Sequence, residues 1–174
     1  MRNRFLVSGL ALIGFLGSGC STLSSYSKPE APWGAIKRVA VLPFTLPSEN
    51  PAQRELVTKL FCEELRNARR VEVVEIPLSS PLGSGVGDIK QIGKEFQADA
   101  VIFGSVNDVI GTVMHMQVVD VATEELLWSG TYMLGSRAEF FSFATQQQRL
   151  QRGFRWLANK FSSNSGSAAS PSSP

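Results

Sequence analysis

Two cysteines and one histidine are all that 174 residues offer to thiol, imidazole or soft-metal chemistry. They are Cys20, Cys62 and His115, too few for a zinc site built from His and Cys ligands. An excess of charge of one sign is missing as well. Arg2 and Arg4 fall within the first nineteen residues, and beyond these fifteen basic side chains face fifteen acidic ones. A nucleic-acid binder carries a marked basic surplus, so that class is excluded. No apolar run approaches the roughly 20 residues of a spanning helix. No serine stands in a Gly-x-Ser-x-Gly elbow. The run Gly83-Ser84-Gly85-Val86-Gly87 lacks the Lys-Ser/Thr pair of a phosphate loop and the spacing of a dinucleotide fingerprint. What the chain does have is 43% hydrophobic against 18% charged residues, enough to form a core rather than remain disordered.

The chain opens on Met1-Arg2-Asn3-Arg4, an apolar run from Phe5 to Leu16, and the small residues Gly17-Ser18-Gly19 before Cys20. A positive n-region, a short h-region and a small-residue cleavage site are the three parts of a secretory signal. Ending as it does on a cysteine, the segment resembles a bacterial lipoprotein signal, with Leu16 one place earlier than such signals usually put it. The resemblance implies removal of residues 1–19 and modification of Cys20 with S-linked diacylglycerol and an N-linked palmitoyl chain. Cys62 is then the one remaining thiol, with no intramolecular disulfide to form. In an oxidising compartment it is best buried as a small hydrophobe. Ser21, where enteric lipoproteins retained at the inner membrane carry Asp, points to the outer membrane, with the domain facing the periplasm.

Residues 20–36 read as a lipidated N-terminus and tether, rich in serine with two prolines and no apolar period. Fully extended, Ser21 to Ile36 reach at most roughly 55 Å. Residues 37–161 then carry alternating signals. Arg38 to Phe44 is a short apolar run closed by proline chemistry, the mark of a buried strand. Ser48 or Asn50 caps a helix with Pro51 at its first position, and Ala52 to Ala68 follows with Leu56, Leu60, Phe61 and Leu65 on one stripe. Val71 to Ile76 is a second strand, and Asp88 caps a short helix from Ile89 to Phe96. Ala98 to Val106 is a third strand. Thr112 to Val121 and Glu125 to Leu134 are separated by so few residues that they predict an antiparallel hairpin. A helix over Ser142 to Phe161 shows Phe143, Leu150, Phe154, Leu157 and Phe161 on one stripe. Residues 162–174, mostly Ser, Gly, Ala and Pro, predict a disordered tail. The fold class is therefore α/β, a mixed sheet in the order β-α-β-α-β-β-β-α: two crossovers, then an antiparallel hairpin and a C-terminal helix.

Three pieces in this order carry a wider likeness. Val39-Ala40-Val41-Leu42-Pro43-Phe44, the run Ala98 to Val106, and Val118 to Ser129 resemble the periplasmic α/β domain of curli-secretion-like and penicillin-binding-protein-activator lipoproteins. Similar domains occur in the exopolysaccharide-export lipoprotein of the Pel system and at the N-terminus of the Tol translocation protein. The hairpin turn in such domains usually reads Asp-x-x-Thr-Gly-Glu, and here Glu124 stands in the glycine's place. The resemblance implies a domain used for assembly and protein contact. It predicts a non-enzymatic accessory of an envelope export or secretion system, with protein partners in the envelope, homo-oligomers, no cofactor and no metal. The alternative it offers is a regulatory module acting on a periplasmic cell-wall synthase. No unassigned pair of strands is long enough to add a membrane-spanning hairpin.

Catalytic candidates are few. Asp108, His115 and Asp120 form the best acid–base set, but positions 115 and 120 of one strand point to opposite faces, and Asp120 suits an Asx turn. For contact rather than chemistry, Trp33, Phe140 and Phe141 are the aromatic side chains in excess of the core stripes, poised for a neighbouring subunit or lipid.

Overall fold

The computed structural model describes residues 24–47, 50–68, 71–84, 88–107, 113–133 and 143–167. Its chain order is β1 (Ser24–Ser27), β2 (Arg38–Val41), α1 (Pro51–Asn67), β3 (Glu72–Glu75), α2 (Ile89–Phe96), β4 (Ala100–Asn107), β5 (Val113–Asp120), β6 (Leu126–Met133) and α3 (Phe143–Ser167), with short 3-10 turns at Trp33–Ala35 and Pro81–Ser84. The strands lie side by side as β1-β6-β5-β4-β2-β3. β2 is parallel to both β3 and β4, whereas β4, β5, β6 and β1 are successively antiparallel. The two expected crossovers and the hairpin are thus present, and β1 is an addition.

Alternation along the strands decides which side chain meets which helix. Val39, Val41, Ala100, Ile102, Met114, Met116 and Val118 share one core with residues of α1 and α3. Ala40, Leu42 and Val101 face the other way, toward Ile92 of α2. The larger core centres on Phe44, Phe61 and Phe154, whose ring centroids lie 5.1 to 5.4 Å apart in tilted and edge-to-face pairs. Gly104 makes room for this cluster, since a Cβ there would stand 2.5 Å from the His115 carbonyl and 2.7 Å from the Phe44 ring. In β6 the register slips beside Val118 and Val119, leaving Leu127 unpaired. This bulge lets Leu127 and Trp128 enter the same core although they are adjacent.

Helix ends follow the sequence closely. Asn50, rather than Ser48, caps α1 by accepting from the amides of Ala52 and Gln53 at 3.0 and 3.4 Å. Asp88 does the same for α2. Two expectations need correction. Leu56, placed on the α1 stripe, is exposed, and Val57 takes the buried position beside Leu60, Phe61 and Leu65. The last helix continues to Ser167, six residues into the segment read as tail. No proline interrupts it before Pro171, and Ser and Asn are only moderately poor helix formers. Glu64 is buried, and Arg155 of α3 meets it with a two-point contact, Nε to Oε2 at 3.0 Å and Nη2 to Oε1 at 3.2 Å.

The β5–β6 turn keeps the form that its missing glycine would have eased. Glu124 adopts φ 60°, in the left-handed region, at a cost of about 1–2 kcal/mol for a residue with a Cβ. Replacing Glu124 with glycine should therefore raise stability by about 0.5–1 kcal/mol after glycine's greater freedom in the unfolded chain is counted. The exposed Lys90–Glu124 ion pair lost with it contributes little. A urea midpoint that falls instead of rising would contradict this account.

Candidate functional site

The first surprise of the site is how little tether there is. Within residues 20–36, Ser24–Ser27 pair with β6 from Thr131 to Trp128 and extend the sheet by one strand. Serines bring no apolar burial, so the ladder's backbone hydrogen bonds carry the pairing. Lys28 continues it, its amide donating to the Leu127 carbonyl at 2.8 Å and its ammonium bonding the Glu125 carboxylate. That bond raises the pKa of Lys28 and lowers that of Glu125, each cause being the partner itself. Trp33 then closes the arm. It is only 6% exposed, packed edge-on against Phe161 with centroids 5.5 Å apart. It is therefore part of the core, and its expected contact with lipid or a neighbour is corrected. Burying an indole gains more than leaving it at the end of a tether. Cys20, Phe140 and Phe141 lie outside the described residues.

The acid–base candidates do not meet. Asp108 lies outside the described residues. His115 Nδ1 is 3.0 Å from Thr131 Oγ1 across the β5–β6 pair. Asp120, at the other end of β5, is buried and accepts from the amide and hydroxyl of Thr123 at 2.7 and 3.0 Å, the Asx turn its position predicts. Cys62 is buried, and desolvation pushes its thiol up to about 12. Burial that raises a thiol in this way suppresses the thiolate on which nucleophilic attack depends.

Beyond the carboxyl ends of β2 and β3 lies an open cleft of 660 Å³, with Glu55, Thr58 and Glu75 among its polar lining. Clefts in this position of an α/β sheet commonly bind ligands. Here the Thr58 hydroxyl is already committed, donating to the Arg54 carbonyl at 2.8 Å and accepting from the Phe44 amide at 2.9 Å. It fastens the start of α1 to the end of the first parallel strand. Among the described residues no three His, Cys, Asp or Glu side chains gather where they could hold a metal ion.

The larger unfilled surface is the outer face of β1, β6, β5 and β4. The short α2 covers that face around β2, the first half of β4 and Val121 just past the end of β5. Register places Tyr26, Ser129, Gln117 and Phe103 in one row across it, with His115 and Thr131 in the next. Tyr26 is 49% exposed and the others are half-buried. A flat row of amide, hydroxyl and aromatic groups suits a protein surface better than a small molecule.

No protein-family model matches the chain, and no curated protein sequence does. Solved structures do match. The PelC dodecamer from Paraburkholderia phytofirmans is similar with a TM-score of 0.61 at 14% identity, over 82% of this chain and 97% of that one. A second PelC dodecamer from the same organism, carrying one substitution, gives a TM-score of 0.59 at 14% identity, over 82% and 98%. The fold is therefore similar to PelC's along almost the whole of that chain. This agrees with the likeness read from the three strand segments, in which the Pel-system lipoprotein was one member.

Proposed function

We propose that this chain is an outer-membrane lipoprotein, anchored through Cys20, that acts without catalysis as a self-assembling accessory of an envelope export or secretion system. The observation that carries the reading is the fold likeness to PelC, a dodecamer, over 97% of that chain. Nothing in the described residues adds a second domain, so the assembling unit would be this sheet and its helices. Supporting it, the imidazole, the thiol and the cleft hydroxyl are separately engaged or buried, while among the described residues the outer face of β1, β6 and most of β5 stays free of helix cover. The cell-wall-synthase alternative fits less well. Such activators reach across the periplasm, whereas here the arm is spent on β1.

The test is the mass of the domain. The mature chain with Cys20 replaced by serine should sediment and scatter light as a multimer of many subunits at micromolar concentration. Substituting Gln117 and Ser129 together with glutamate, on the uncovered face, should shift it toward monomer with its circular dichroism unchanged. A wild-type domain that stays monomeric at every concentration tested would overturn the reading.

A further inference from the structure

The sheet ends in two edge strands, and they are guarded differently. In β3, Glu72 and Ile76 donate inward to the Lys37 and Val41 carbonyls at 2.8 and 2.9 Å, so Val73 and Glu75 turn their N–H and C=O groups outward. Arg66 covers that edge, its Nη2 donating to the Val73 carbonyl at 3.4 Å. Glu72 and Glu75 add like charges, a usual guard against pairing with another chain. β1 has neither device. Ser24-Ser25-Tyr26-Ser27 carries no charge, no proline and no bulge. Among the described residues no strand lies on its far side. The Lys28 amide donates inward to the Leu127 carbonyl at 2.8 Å. Alternation therefore turns Ser24 and Tyr26 toward β6 as well, and leaves the N–H and C=O groups of Ser25 and Ser27 pointing out.

We propose that β1 is a contact between two copies of this chain, pairing antiparallel with β1 of the second copy about a two-fold axis at Tyr26. The inference rests on the self-assembly reading and names one of its joints. Phase selects the register. With Tyr26 opposite Tyr26, Ser25 faces Ser27 of the second copy, and both outward serines of each strand find partners. Centring on Ser25 would put Ser27 opposite Leu23, outside β1, and centring on Ser27 would put Ser25 opposite Pro29, which has no N–H. In the chosen register the two tyrosines form a non-hydrogen-bonded pair, Cα atoms about 4.5 Å apart and rings side by side. This gives a partner to Tyr26, a large ring that one chain leaves 49% exposed. Lys28 falls opposite Ser24, so no like charges meet. The row of Tyr26, Ser129 and Gln117 continues into its image, making one longer uncovered face. The two Ser24 residues stand about 14 Å apart across the axis. Each lies four residue steps, at most roughly 14 Å, from its own Cys20, so both acyl anchors reach one bilayer. A two-fold contact uses the same patch on both copies and closes on itself, so a larger assembly adds a second contact to it.

Disulfide trapping reads the register directly. Cys62 is buried, so in the mature chain with Cys20 replaced by serine an added cysteine is the accessible thiol. Tyr26→Cys sets two thiols across the axis at about 4.5 Å between Cα atoms, within disulfide reach. Ser25→Cys alone faces its own copy only on the diagonal, about 7–8 Å away and beyond that reach. Ser25→Cys mixed with Ser27→Cys brings the pair to about 5.5 Å. Under copper–phenanthroline oxidation, Tyr26→Cys should form a linked dimer several-fold faster than Ser25→Cys alone. The mixture should do likewise, and because it keeps both tyrosines it repeats the reading should the loss of Tyr26 loosen the pairing. Light scattering on the reduced proteins reports assembly separately. Multimers in which neither Tyr26→Cys nor the mixture links faster than Ser25→Cys alone overturn the β1 contact and leave self-assembly standing. Protein that stays monomeric and forms no link overturns both.

Discussion

Truncating Phe154 to alanine should cost the domain about 3–5 kcal/mol, a large share of the 5–15 kcal/mol by which native domains are typically stable. Phe154 is fully buried, and its ring contacts Phe44 at 5.3 Å and Phe61 at 5.4 Å between centroids. These three rings come from α3, the exit of β2 and α1, so the cluster joins the last helix to the first half of the chain. The loss has two parts, the transfer energy of the ring and the cavity left behind. The cavity will not collapse easily, because Phe44 is held by Gly104 beneath it and its amide is tied to Thr58. Tyr26→Ala, at an exposed position of β1, should move stability by less than about 0.5 kcal/mol. Urea unfolding followed by tryptophan fluorescence separates the two. Equal midpoints for the two variants would mean that the aromatic cluster is not the centre of the core.

Which elements were legible in the sequence follows from what holds each together. β2, β4 and α3 are held by apolar burial, and burial writes a period into the residues. Val39, Val41, Ala100 and Ile102 alternate, and Leu150, Phe154, Leu157 and Phe161 recur at helical spacing. β1 leaves no such trace. Ser24-Ser25-Tyr26-Ser27 gains its place from backbone pairing with β6 and from the Lys28–Glu125 bond, a partner 97 residues away. Trp33 was visible as an aromatic residue beyond the stripes, but its berth against Phe161 depends on the arm docking first. Glu64 and Arg155 were charged residues between apolar ones, and only the approach of α1 to α3 makes them a pair. Ser48 and Asn50 both carry side chains that accept hydrogen bonds, and it is the Asn50 carboxamide oxygen reaching the Ala52 and Gln53 amides that identifies the cap. The candidate surface was the least legible part. A sheet face left bare is a property of where α2 stops, and α2 is short enough to cover β2 and touch Val121 at the end of β5 while leaving the rest of β5 and β6 bare.

Moving the chain off the membrane should require only the loss of Cys20. With residues 1–20 replaced by an ordinary cleavable secretory signal followed by serine, the mature protein should pass from the membrane pellet to the soluble periplasmic fraction almost completely. Replacing the whole signal matters, since an uncleaved apolar segment would hold the precursor in the inner membrane by itself. The magnitude follows from chain chemistry. Each buried methylene contributes about 0.8 kcal/mol, so one acyl chain binds reversibly while two or more hold firmly. Other sources of attachment are weak by comparison. Among the described residues no helix is long and apolar enough to cross a membrane. Trp33, the one tryptophan in the arm, is consumed by the core. Protein retained by membranes after an alkaline carbonate wash, despite the new signal, would show that another segment holds it there. The short distance from residue 20 to β1 would then no longer set the domain's height above the bilayer.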